Sequence, residues 1–195
     1  MPESSPARRS PIAPPRRLVA WDRTAVENST HRIGLLSDTH GRAAVAHAAV
    51  RTLRAHGATM LIHLGDVGTD EVLEAMTGFD AHVVFGNCDA DEAALARHAD
   101  RLGITVHHPV GRLEIGGRTI VFSHGHMPEL LNRAAAEGVD YVLHGHTHVQ
   151  RDERRGRTRI INPGALCRAA RFTVAILTPE NDQLEFFDVV PEPCA

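Results

Sequence analysis

The chain has 195 residues, a length that suits one domain, and 43% of them are hydrophobic, which is enough for a folded core. Its formal net charge of -3 argues against a protein that binds nucleic acid through a basic surface. No apolar run reaches the roughly 20 residues of a membrane span, and no signal-peptide core follows the arginine-rich start. We therefore predict a cytoplasmic protein.

The cysteines and histidines are the informative part of the composition. Cys88, Cys167 and Cys194 share no close spacing, so we predict reduced thiols instead of a disulfide framework. Fourteen histidines stand against a single Trp and a single Tyr, more than an ordinary core requires. The positions of those histidines therefore become the main question.

Residues 1–30 differ in composition from the rest of the chain. They are rich in proline, serine and arginine, which predicts a disordered tail. Residues 31–190 are predicted to form a single domain.

Within that domain, apolar runs first alternate with helical segments. The runs cover residues 32–38, 59–66 and 81–87, and the helical segments cover 42–57, 70–78 and 91–103. This alternation predicts parallel strands joined by crossover helices.

The second half of the domain is rich in hairpin signals. It contains hairpins at 111–125, around Gly116–Gly117, at 148–162 and at 171–189, with a helix at 127–138 and a strand at 141–146. Residue patterns alone therefore predict a mixed sheet that is parallel early and antiparallel late.

Five apolar runs end in side chains that can bind a metal ion. In chain order these are Asp38 and His40, Asp66, Asn87 and Asp89, His124 and His126, and His144, His146 and His148. Ligands of open α/β sheets bind beyond the carboxyl ends of the strands, so we expect these side chains to converge. A lone Asp or His at a strand end is usually a cap or turn residue. Five such coincidences at successive strand ends are much less plausible.

The chemical types of these residues indicate which metals would bind. Carboxylate, carboxamide and imidazole donors without thiolate suit Mn²⁺, Fe²⁺, Co²⁺, Ni²⁺ or Zn²⁺. One Asp can bridge two such ions about 3.5–4 Å apart, as in two-metal hydrolytic sites. A closed structural zinc site would favour close cysteine pairs, which are absent from the sequence.

The ordered motifs DTHG, GD, GNCD, SHGH and GHTH resemble the calcineurin-like metallophosphoesterase superfamily, and most closely its small YfcE-like phosphodiesterases. The resemblance covers about residues 31–190. It implies an α/β fold, a two-sheet mixed β-sandwich flanked by helices in four α-β-β-α layers. It also implies two metal sites bridged by Asp66. One would use Asp38, His40 and His148, and the other Asn87, His124 and His146.

The resemblance also suggests a catalytic set, namely Asn87, Cys88, Asp89, His124 and His126. Many monoesterases of the superfamily have a histidine, able to protonate the leaving oxygen, where this chain has Cys88. A thiol is an uncommon proton donor to an alkoxide, which places general-acid assistance in doubt. His126 is a candidate replacement, or a residue that orients His124. His144 lies outside the motif and is predicted to support the ligands or to pack.

We predict a dinuclear metal-dependent phosphohydrolase that acts on small-molecule phosphodiesters. The bound ions would be two divalent cations, with Mn²⁺ favoured over Ni²⁺, Fe²⁺, Co²⁺, Zn²⁺ or Mg²⁺, and a hydroxide bridging them would attack phosphorus in line. Arg168 and Arg171 are candidates for contact with a substrate phosphate. Three alternatives remain open: a non-catalytic scaffold of the same fold, a phosphomonoesterase and a nucleotide pyrophosphohydrolase. The sequence leaves the oligomeric state undecided.

Overall fold

The structure, a computed structural model, describes residues 30–191, in which strands and helices alternate as far as Val106 and strands predominate afterwards. The strands are β1 Ile33–Leu36, β2 Met60–His63, β3 Asp80–Val83, β4 Thr105–Val106, β5 Val110–Ile115, β6 Arg118–Ser123, β7 Tyr141–Leu143, β8 Arg151–Arg155, β9 Thr158–Asn162, β10 Thr173–Thr178 and β11 Gln183–Asp188. The helices are α1 Ala43–Ala55, α2 Asp70–Glu74, α3 Glu92–Arg101 and α4 Pro128–Glu137. Each strand and helix that the sequence predicts is present, and β4 is additional.

The structure does not test two of the predictions, the disordered tail and the cytoplasmic location. The predicted disordered tail, residues 1–30, lies outside the described residues except for Thr30, so it stays a prediction. None of the described helices is long and apolar enough to cross a bilayer. The predicted cytoplasmic location remains untested.

The first sheet has the strand order β11-β10-β1-β2-β3-β4. β1 to β4 pair in parallel, whereas β10 is antiparallel to both β1 and β11. Helices α1, α2 and α3 make the crossovers that parallel pairing requires. As a result, the carboxyl ends of β1, β2 and β3 lie side by side at one edge.

The second sheet has the order β5-β6-β7-β9-β8. Hairpins β5–β6 and β8–β9 are antiparallel, as predicted, and Gly116 and Gly117 supply the positive φ angles of a tight turn between β5 and β6. The prediction that the later half is antiparallel is wrong for β7, which is parallel to both β6 and β9. The reason is that α4 connects β6 to β7 as another crossover.

Three apolar layers hold the two sheets and the helices together. Val45, Ala49 and Leu53 of α1 pack with one face of the first sheet. Ile33 and Leu35 of β1 point the other way, into the core between the two sheets, as the alternation of a strand requires. α4 covers the outer face of the second sheet through a third cluster that contains Ala134 and Val142. The order helix, sheet, sheet, helix matches the predicted four layers.

Candidate metal centre

The loops after β1, β2, β3, β6 and β7 meet at one end of the sandwich. Backbone hydrogen bonds tie the loops together: Asp38 donates to the carbonyl of Gly65 at 3.0 Å, and His40 donates to that of Asp66 at 2.9 Å. Across the sandwich, the N–H of Gly145 donates to the carbonyl of His124 at 2.9 Å. Residues far apart in sequence are therefore neighbours here.

The backbone at this end is strained. Five of the seven predicted metal ligands have positive φ angles, namely Asp38 (56°), His40 (46°), Asp66 (52°), His146 (66°) and His148 (57°). A non-glycine residue in this region costs on the order of 1–3 kcal/mol, and such strain concentrates at functional sites. These loop conformations therefore direct the ligand side chains towards one another, and they lower the local stability of the backbone.

The first donor cluster consists of Asp38, His40 and His148. The Nε2 atoms of the two histidines lie 3.5 Å apart, and His148 Nε2 lies 3.2 Å from Asp38 Oδ1. Donors that share one ion at about 2.0–2.2 Å are separated by about 3.0–3.6 Å in tetrahedral or octahedral geometry. This cluster therefore already has the spacing of a metal site.

The second donor cluster forms around His124, which is fully buried. His124 Nδ1 donates to the carbonyl of Leu64 at 2.8 Å, which leaves Nε2 available as a ligand. The His146 ring lies edge-on to that of His124, with 5.1 Å between the ring centroids. Asn87 is exposed at the rim, and its amide lies 3.5 Å from the Cys88 sulfur.

Asp66 lies between the two clusters. Its Oδ2 is 3.5 Å from His40 Nε2, and its Oδ1 is 3.4 Å from His124 Nε2. Burial would raise the pKa of Asp66, but the contacts with His124 and with the N–H of Cys88 outweigh burial and lower it. The side chain is therefore a carboxylate at neutral pH, with one oxygen directed to each cluster.

The residues present fit divalent cations. Asp38 Oδ1 and His124 Nε2 are buried but make no hydrogen bond within residues 30–191. Such orphaned buried atoms are rare in native proteins and often mark the site of an ion. Burial raises the pKa of Asp38.

Asp89 and Gly86 shape the GNCD loop. The buried Asp89 carboxylate accepts three backbone N–H groups, from Val67 at 3.2 Å, Gly68 at 2.8 Å and Gly86 at 2.8 Å. A Cβ at Gly86 would lie 2.1 Å from Asp66 Oδ1, so only glycine fits there. These contacts indicate that Asp89 joins the second and third loops and positions Asp66.

Cys88 and His126 lie at the edge of the centre. The backbone N–H of Cys88 donates to Asp66 Oδ1 at 2.9 Å, and its exposed thiol comes within 4.8 Å of donor atoms of His40 and Asp66. Burial and the nearby Asp66 raise the pKa of the Cys88 thiol. The ring centroid of His126 is 5.5 Å from that of His124, and burial lowers the pKa of His126. Either side chain is near enough to face a bound substrate.

His144 is buried beside the centre, and its supporting or packing role stays a prediction. Its Nδ1 donates to the carbonyl of Gly145 at 3.0 Å. Sequence reasoning missed Asn162, whose amide donates to the same carbonyl at 2.8 Å and to Thr147 Oγ1 at 3.1 Å. Asn162 thereby holds the GHTH loop. The Asn-Pro-Gly sequence after β9 was the available signal.

The two candidate arginines differ in their contacts. Arg171 forms a two-point ion pair with Asp188, with Nε at 3.0 Å and Nη2 at 2.7 Å from the same oxygen. Arg168 is exposed near His148.

Comparison with known proteins shows the family to which the chain is related. A calcineurin-like phosphoesterase superfamily domain matches residues 32–182. The phosphodiesterase MJ0936 of Methanocaldococcus jannaschii is 25% identical over 165 residues, which cover 83% of this chain and 99% of the relative. The phosphodiesterase YfcE of Escherichia coli K12 is 26% identical over 146 residues, 67% of this chain and 76% of the relative. The solved structure of an archaeal phosphodiesterase superposes with a TM-score of 0.75 at 24% identity, covering 81% of this chain and 99% of that one.

The fold and the two donor clusters define a metal-dependent phosphoesterase as the class of protein. The chain belongs to the calcineurin-like phosphoesterase superfamily, because that domain covers most of its length. The predicted family, fold class and enzyme class are confirmed.

Proposed function

We propose that this protein is a phosphodiesterase that uses two divalent metal ions, with Mn²⁺ preferred. The observation that carries this proposal is the position of Asp66, whose two carboxylate oxygens face two separate histidines at 3.5 and 3.4 Å. A carboxylate placed in this way suits a bridging ligand. The names of the two curated relatives, both phosphodiesterases, support the reaction class.

We assign ligands by cluster. Asp38, His40 and His148 would hold one ion, and His124, His146 and Asn87 would hold the other, with Asp66 shared between them. When bound, such a pair of ions would activate a water molecule for in-line attack on phosphorus and neutralise charge on the phosphoryl oxygens.

The remaining residues of the site orient these ligands. The carbonyl of Leu64 fixes the His124 ring, and the Asp89 carboxylate fixes the loop that carries Asn87. Asn162 holds the backbone between His144 and His148 through the Gly145 carbonyl. These contacts come from the protein itself, which favours a preorganised centre.

The substrate class follows from the weak proton donor at the rim. The pKa of Cys88 is raised, so its thiol stays protonated at neutral pH but transfers a proton poorly to an alkoxide. A phosphodiester with a stable leaving group requires little such help. We therefore expect an aryl phosphodiester to react faster than an alkyl phosphodiester. From the names of the relatives, we also expect it to react faster than the matching monoester.

Metal content and activity can be tested on one pair of variants. Wild-type protein supplied with Mn²⁺ should bind close to two ions per chain and hydrolyse bis(4-nitrophenyl) phosphate faster than 4-nitrophenyl phosphate. Asp66→Ala should lose both ions and activity, whereas Asp100→Ala, which removes an exposed acid of α3, should lose neither. Two tightly bound ions in Asp66→Ala would contradict the bridging assignment. A strong preference for the monoester would favour the phosphomonoesterase alternative.

A further inference from the structure

A cleft of about 610 Å³ opens beside the first donor cluster. One wall is the end of the GHTH loop with the residues after it, and the other is the segment that follows the Asn-Pro-Gly turn. The lining residues are Thr147, His148, Val149, Gln150, Arg168, Ala169, Ala170, Arg171 and Thr173. Because His148 belongs to both the cluster and the cleft, a substrate held at the metal centre would extend into this space.

Arg168 is the arginine of this cleft whose side chain is available to bind a ligand. Within residues 30–191 it makes no ion pair or side-chain hydrogen bond, whereas the neighbouring Arg171 is committed to Asp188. A guanidinium group offers several N–H donors in a planar fork that matches the oxygens of a phosphate. An unpaired arginine beside a phosphoester site has the chemistry of an anion-binding residue.

The backbone at Arg168 points the same way. Its φ is 50°, and five of the six other non-glycine residues with positive φ in the described part of the chain are predicted metal ligands.

A second cleft near the centre is acidic. It has a volume of about 500 Å³, adjoins Cys88, and includes Asp70, Glu71 and Asp91 among its lining residues. Asp91 caps α3, where its side chain accepts the N–H of Ala94 at 2.9 Å. An anionic arm of a substrate would be repelled on this side and attracted on the Arg168 side.

We propose that the Arg168 cleft binds a second phosphate of the substrate. This inference rests on the proposed phosphodiesterase function and narrows its substrate class. The favoured substrate is a phosphodiester whose non-reacting arm carries another phosphate, such as a 5′-phosphorylated dinucleotide. The arm that departs past Cys88 carries no further charge.

The test compares three substrates with Mn²⁺-loaded enzyme: a dinucleotide with a 5′-phosphate, the same dinucleotide without it, and bis(4-nitrophenyl) phosphate. Wild type should show a lower KM for the phosphorylated dinucleotide than for the dephosphorylated one. Arg168→Gln should raise the KM for the phosphorylated dinucleotide about tenfold, the effect of losing one charge-assisted contact, with little change in kcat. The same variant should change kcat/KM for bis(4-nitrophenyl) phosphate much less than that for the phosphorylated dinucleotide.

Arg171→Gln is the matched control, because it removes an arginine from the same cleft that is already paired with Asp188. Its KM values should equal those of wild type, and Arg168→Lys should recover part of the loss. Equal KM values for the two dinucleotides, or an unchanged KM in Arg168→Gln, would overturn the subsite while leaving the phosphodiesterase function intact. Failure of wild type to hydrolyse bis(4-nitrophenyl) phosphate would overturn both.

Discussion

His63, the last residue of β2, should make the stability of this protein depend on pH. The side chain is fully buried. Its Nδ1 accepts the N–H of Gly65 at 3.2 Å, so the proton of the neutral ring lies on Nε2 and is donated to Thr39 Oγ1 at 3.0 Å. The Thr39 hydroxyl in turn donates to the carbonyl of Val67 at 3.0 Å. A proton on Nδ1 would break the hydrogen bond from the Gly65 N–H and place a positive charge where water cannot solvate it.

The size of the effect follows from the pKa. Burial, with a further contribution from the charge of His124, lowers the pKa of His63 from 6.5 to about 3. Above pH 6.5 the ring is neutral in both the folded and the unfolded chain, and the full stability is present. As the pH falls below 6.5, only the unfolded chain takes up the proton, so the free energy of unfolding falls by up to about 1.4 kcal/mol per pH unit. Between pH 6.5 and pH 5 the loss is up to about 2 kcal/mol.

Urea unfolding of metal-stripped protein at pH 7.5 and pH 5 measures this loss. His63→Gln removes the titrating group, so its free energy of unfolding should change between the two pH values by about 2 kcal/mol less than that of wild type. His47→Gln, at an exposed position of α1, controls for the loss of any histidine and should follow wild type. Equal pH dependence of His63→Gln and wild type would refute the reasoning.

Three further predictions concern the metal centre. His148→Ala should reduce kcat/KM by several orders of magnitude because it removes a ligand. His144→Ala should reduce kcat/KM by at most about 10–100-fold. Equal losses in the two variants would show that the motif is misassigned. Cys88→His at matched metal content should raise hydrolysis of an alkyl phosphomonoester, whose alkoxide leaving group requires a proton, relative to that of the aryl diester. Cys88→Ser should leave diesterase activity largely intact, and an inactive Cys88→Ser with both metals bound would contradict the role given to the thiol. In Gly86→Ala the new methyl group would lie 2.1 Å from the Asp66 carboxylate, which should be displaced and bind both ions more weakly. Calorimetric titration measures the metal affinity. An unchanged affinity would argue against close packing at Gly86.

The sequence was sufficient to predict most of the secondary structure. The period of the apolar residues is a local property of the chain, and it located the crossover helices and the hairpins. It could not predict β4, whose two residues are too few to form a pattern. Nor could it predict that β7 pairs in parallel on both sides, because strand partners are decided by packing between segments distant in sequence.

The candidate ligands could also be read from the sequence, since each directly follows an apolar run and the carboxyl ends of parallel strands share one edge. The roles of the supporting residues could not. Asp89 resembles a further ligand in the sequence, yet in the fold its carboxylate accepts N–H groups from Val67 and Gly68, which belong to a different loop. In the sequence, Asn162 indicates only a turn, whereas in the fold its amide donates to the Gly145 carbonyl of the GHTH loop.

By itself, the sequence determined the family, the order of most elements and a set of candidate donor residues, because these depend on residue type and spacing. Only the tertiary structure decided which donors face each other. The two oxygens of Asp66 point to different histidines because β1, β2 and β6 bring three loops together around it. The same is true of the arginines: β11 places Asp188 against Arg171, and Arg168 is left facing the cleft. Distances between side chains follow from packing across the sandwich, and no local pattern in the chain encodes them.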